Sequence, residues 1–171
     1  MFKLRRPVYR AFIIAHVVSS VAWLGLSLCL LVLGVWATGT GDPAEQYAAG
    51  TAMDRLAGAL AVPFGAAALV TGVVLMLGTR WSLAYTWVLV KLVATVITFA
   101  LTVLSLRPGL AATAASLDPA RLQVLDDQIL AAPIVSSSVY LGATVLSYVK
   151  PWGRRAGRVP GPVPVPARSG R

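Results

Sequence analysis

His16, Lys91 and Tyr140 are the residues of this sequence that could do chemistry, because each falls in a long apolar stretch where an ionisable group is costly. His16 is the only histidine. A neutral imidazole there could relay protons near pH 7, or bind a metal or haem iron through one ring nitrogen. Lys91 is the only charged residue in any of the four apolar stretches. Three uses are open to it: snorkelling its ammonium to the headgroups, bonding a neighbouring helix, or serving a substrate or a proton. Tyr140 precedes Lys150 by ten residues and should reach a similar depth, so the three form a candidate polar cluster in one half of the membrane.

The set is too small for ordinary catalysis or metal binding. The stretches hold no Asp or Glu, and Cys29 is the only cysteine. One histidine without a carboxylate or thiolate beside it cannot complete a usual metal site, and a bis-His haem would need two chains. Nothing resembles a nucleophile, a base and a group to orient the base. The expectation is therefore no enzyme, no catalytic residue, no metal and no cofactor. Cys29 reads as a small buried hydrophobe.

The elements that position these residues are the four stretches, at 12–37, 56–79, 81–106 and 128–149. A bilayer core about 30 Å thick needs roughly 20 apolar residues in a helix, and each stretch meets that length. The first is too long for the apolar region of a signal peptide, about 7–15 residues, and should be retained. Hydrophobic residues make up 57% of the chain and charged ones 12%, half the share usual in soluble domains. The reading is an all-α protein: a four-helix transmembrane bundle with antiparallel neighbours, flanked by a basic N-terminus (1–11) and a basic Pro-rich tail (150–171). The Pro-rich tail is expected to be disordered, its alternating prolines favouring extended geometry. Twelve Arg against three Lys, with no Asn, point to a GC-rich bacterial genome.

Charge sets the expected orientation. Eleven Lys and Arg flank one side: Lys3, Arg5, Arg6, Arg10, Arg80, Lys150, Arg154, Arg155, Arg158, Arg168 and Arg171. Only Arg55, Arg107 and Arg121 lie in the other loops, with all six acids. Cations in short flanks stay cytoplasmic, so both termini should face the cytoplasm of a bacterial inner membrane. The cations would rest on anionic lipid, and no folded module supports a nucleic-acid partner. Trp81, Tyr85 and Trp87 fit the cytoplasmic aromatic belt. Asp42-Pro43-Ala44-Glu45 carries the signals of a helix start. Asp118-Pro119 repeats them and predicts a short helix over 121–127, with Pro133 marking a kink beyond it.

Each stretch also carries a small or hydroxylated stripe with a 3.5-residue period, the mark of a bundle interior. The first has His16, Ser20, Trp23, Ser27, Leu30 and Gly34; the second Gly58, Ala61, Gly65, Ala68 and Gly72. The third has Lys91, Thr95, Thr98, Thr102 and Ser105; the fourth Pro133, Ser136, Tyr140, Ala143 and Ser147. Such stripes suit association with a second copy or with another membrane protein.

His16 with Trp23 and Gly25, the run TGVVLMLGTRW at 71–81, the step WVLVKL at 87–92 and the ending KPWGR at 150–154 resemble an uncharacterised family of small four-helix bacterial membrane proteins. The likeness spans nearly all of the chain before the Pro-rich tail and implies a multi-pass inner-membrane protein. The His-to-Trp-Gly pattern is also similar to membrane domains of copper-resistance and haem-associated proteins, whose further His or Met ligands this sequence lacks. The expected role is a non-catalytic scaffold or accessory subunit. The alternative is a small transporter, or a haem- or copper-linked redox component, using His16, Lys91 and Tyr140.

Overall fold

The structure, a computed structural model, describes residues 5–78, 85–125 and 128–152. The expectations for Lys3, the connection through Arg80 and Trp81, and most of the basic Pro-rich tail lie outside the described residues.

Four helices are long and apolar enough to cross a membrane: α1 (Arg6–Gly39), α2 (Pro43–Gly78), α3 (Thr86–Ser116) and α4 (Gln128–Val149). This is an all-α, multi-pass membrane architecture. Its surface is inverted relative to a soluble protein. Val18, Val21, Val32, Val70 and Leu104 are each at least 60% exposed, while Ser19, Ser27, Thr71, Thr98, Thr102, Ser136 and Ser137 are buried. Apolar residues facing outward and hydroxyls facing inward are what lipid as solvent selects. Cys29 belongs to the outward face: it is exposed, not buried as expected.

Two helices run well past the apolar stretches. At 1.5 Å per residue, the 36 residues of α2 span roughly 54 Å, against a hydrocarbon core of about 30 Å. The second helix starts at Pro43 rather than 56, because the cap acts there. Asp42 Oδ1 accepts the Ala44 N–H at 2.8 Å, and Thr40 Oγ1 donates to Glu45 Oε2 at 2.6 Å. No proline lies between Pro43 and Leu56, and the helix runs through Gly50 into the apolar segment. The third helix likewise continues to Ser116, which places Arg107 inside a helix and not in the expected loop. The short helix expected over 121–127 is absent from 121–125. Asp118 Oδ1 instead accepts the Ala120 N–H at 2.8 Å and closes a turn back to Arg121. Gln46, buried on α2, holds the following segment: its amide donates to Gln123 O and accepts from Gln123 N.

Proline shapes the long helices. A π-turn at Ala57–Ala61 precedes Pro63, and one at Thr102–Leu106 precedes Pro108. A π-turn inserts one residue and widens the helix, which relieves the clash of a proline ring with the preceding turn. Pro133 sits fully buried inside α4 with no π-turn before it.

Polar ties close the bundle into a ring. His16 on α1 meets Ala68 and Thr71 on α2, and Arg107 on α3 meets Ala57 and Gly58 on α2. Lys91 on α3 donates to Ser147 on α4, and Ser136 on α4 donates to Ser27 on α1 at 3.2 Å. Each of the four neighbouring interfaces thus carries at least one side-chain hydrogen bond.

Candidate functional site

The stripe residues distribute into three layers. Nearest the Arg6 end of α1 is a cavity of about 350 Å³, whose lining includes His16, Gly72, Met76, Trp87, Lys91, Thr95 and Ser147. The imidazole lies against Gly72, where an added Cβ would stand 3.1 Å from its Cε1. Its Nδ1 is 3.0 Å from Ala68 O and 3.1 Å from Thr71 Oγ1. A carbonyl only accepts, so Nδ1 carries the proton and donates. The neutral ring therefore presents Nε2 as an acceptor. Thr71 is fixed by donating its own hydroxyl to Ala67 O at 2.5 Å. Ser147 Oγ donates to Ala143 O at 2.8 Å, so it can only accept from Lys91. Lys91 Nζ thereby bonds the neighbouring helix α4. Trp87, expected in the interfacial belt, is buried.

One layer deeper, Trp23 stacks on Tyr140 with ring centroids 4.4 Å apart and meets the edge of Phe99 at 5.9 Å. Gly65 permits this. A Cβ there would fall 2.6 Å from Phe99 and 2.7 Å from Trp23. The Tyr140 hydroxyl is buried and has no hydrogen-bond partner among the described residues. The Thr102 hydroxyl lies near it and donates its own hydrogen to Thr98 O at 2.8 Å, so toward Tyr140 it can only accept. Sequence reasoning grouped Tyr140 with His16 and Lys91. The structure brings the latter two to one cavity and sets Tyr140 in the aromatic layer, outside it.

The third layer holds Ser27, Gly34 and Gly58. Ser27 receives the Ser136 hydroxyl, Gly34 lies against Leu130 and Met53, and Gly58 lies beside the Arg107 guanidinium. A second cavity, of about 470 Å³, opens between α3 and α4 and is lined by Thr98, Thr102, Ser105 and Ser136 among apolar residues. Ser105 is exposed, whereas Leu110, beyond the π-turn, is buried. Ser20 and Thr95 are half-buried.

No protein-family model, curated protein or solved structure matches the chain.

Among the described residues, no group of three or more His, Cys, Asp or Glu could hold a metal ion. Two residues that sequence reasoning left off the site do much of the positioning. Thr71 stands one residue before Gly72 on the stripe of α2, and that adjacency was the available signal. Arg107 was read as a loop cation. The signal for its true place was Pro63, whose missing N–H leaves the Gly58 carbonyl without a donor at π spacing, and Arg107 Nη1 fills that place at 2.5 Å.

Proposed function

We propose that this protein is a non-catalytic multi-pass component of a bacterial inner membrane, a scaffold or accessory subunit of the small four-helix kind that its motifs resemble. The observation that supports this reading is the ring of polar ties: His16, Arg107, Lys91 and Ser136 each bond an adjacent helix. Their donors hold the bundle closed and leave its apolar outer faces to lipid or to a partner helix. Neighbouring helices run antiparallel in this reading. His16 and Gly34, in that order on α1, contact Gly72 and Met53, in the reverse order, on α2. Both termini face the cytoplasm, as the Lys and Arg distribution favours. A periplasm-active reporter fused after Gly41 is expected to be active and one fused after Gly153 inactive; the opposite pattern would overturn this topology.

One observation favours a second reading, a small transporter or a haem- or copper-linked redox component. His16 Nδ1 is fixed by a carbonyl while its ring lines a cavity, the posture of a ligating imidazole. The two readings separate on purification from the native membrane. The scaffold reading expects a colourless, metal-free protein that co-purifies with a membrane partner. A Soret band, or copper in proportion to protein, lost in His16→Ala, would overturn it.

A further inference from the structure

The cavity at the Arg6 end of α1 contains a cation and, among the described residues, no anion. Lys91 Nζ donates to Ser147, its one hydrogen-bond partner among the described residues, and an ammonium has three N–H donors. Two donors remain. Among the described residues no Asp or Glu lines the cavity, and His16 adds no negative charge. A charge drawn out of water is costly unless an opposite charge meets it. Here the described residues supply none.

The rest of the lining says what kind of anion fits. Ile13, Val17, Leu69, Val73, Met76 and Leu92 make an apolar wall beside the ammonium, and Val17 is open to the lipid side. A small hydrated anion would leave that wall unsatisfied, whereas an acyl chain would cover it. Depth agrees. Lys91 lies five residues inside the start of α3, about 7–8 Å of helical rise, the thickness of one headgroup layer.

We propose that this cavity binds the phosphate of an anionic membrane phospholipid on Lys91 Nζ, with one acyl chain lying along the apolar wall. The bound lipid fills the wedge between α1, α2 and α3 and is distinct from the screened layer that basic termini gather. A contact inside a partly desolvated cavity withstands salt, and a surface contact does not.

Native mass spectrometry tests the assignment on the full-length protein in neutral detergent, with phosphatidylglycerol or phosphatidylcholine added at about 0.5 M salt, where the Debye length is only a few ångströms. One phosphatidylglycerol per chain should persist, favoured over phosphatidylcholine by about tenfold, as a charge-assisted contact allows. Lys91→Met should remove the preference and Lys91→Arg should keep it. Retention of the preference by a folded Lys91→Met overturns the proposal. If Lys91→Met does not fold, wild-type protein decides. A phosphatidylglycerol with a photoreactive acyl chain should label the 69–76 segment of α2, and labelling confined to the termini overturns it. Inorganic phosphate should not displace the lipid at equal concentration; displacement would assign the site to a free anion instead.

Discussion

Gly65→Ala is expected to destabilise the bundle more than alanine at any other glycine of its helices. The methyl group would enter at 2.6 Å from Phe99 Cδ2, 2.7 Å from Trp23 Cζ2 and 2.9 Å from Phe99 Cε2. None of these atoms is the loose end of a flexible chain. Trp23 is 3% exposed, held on its other face by Tyr140 and packed with Ala68. Overpacking of a filled core costs about 1–3 kcal/mol, and with two rigid rings to displace the upper end applies. Gly25→Ala is the matching control, since nothing lies within 4 Å of the added atom. There the helix propensity of alanine should give a gain of up to about 1 kcal/mol. Gly50→Ala falls between, because the obstacle is the end of one side chain, Leu117, which can rotate. Denaturant unfolding in a single detergent, followed by tryptophan fluorescence, ranks the three. Equal midpoints for Gly65→Ala and Gly25→Ala would show that the aromatic layer is loosely packed, contrary to this account.

Gly65 also marks how far the sequence could be read. Its stripe on the second helix was legible because small residues recur at a helical period in a segment with little else to distinguish its faces. The four apolar helices were legible for the same reason, since bilayer thickness imposes one length on all of them. What faces Gly65 was not legible. Phe99 is off the stripe of the third helix, and its approach to Trp23 depends on how two helices rotate against each other, which no local pattern encodes. Helix ends were misplaced where hydropathy ends but the helix does not. Gln46, Asp54 and Arg55 look like a loop by polarity, yet Asp42 and Pro43 start a helix that runs through all three. The grouping of Tyr140 with His16 and Lys91 rested on depth alone. Depth was judged too coarsely, because about two turns separate Tyr140 from Ser147, and so the aromatic stack from the charged cavity.

Arg107 shows the same limit in its strongest form, and its replacement should be the second most damaging change. Its Nη1 donates to Ala57 O at 3.1 Å and Gly58 O at 2.5 Å, across an interface where both helices carry a π-turn. Without the guanidinium, the Gly58 carbonyl loses its donor, because the residue five places on is Pro63 and has no N–H. An unsatisfied buried carbonyl costs about 1–3 kcal/mol. Arg107→Met should therefore lower stability by about that amount, reduced by the relief of Arg107 Nε, which is buried without a partner. Arg107→Lys should recover only part of the loss, since a point charge cannot reproduce the planar fork. Pro63 provides a sharper test. Pro63→Ala restores a backbone donor, so it should rescue Arg107→Met while changing the wild type little. A double-mutant cycle in the same detergent measures this coupling, expected at about 1 kcal/mol in the rescuing direction. Strict additivity of the two substitutions would mean that Arg107 does not stand in for the proline's missing hydrogen bond. The pairing of a π-turn, a proline and a distant arginine would then need another physical cause.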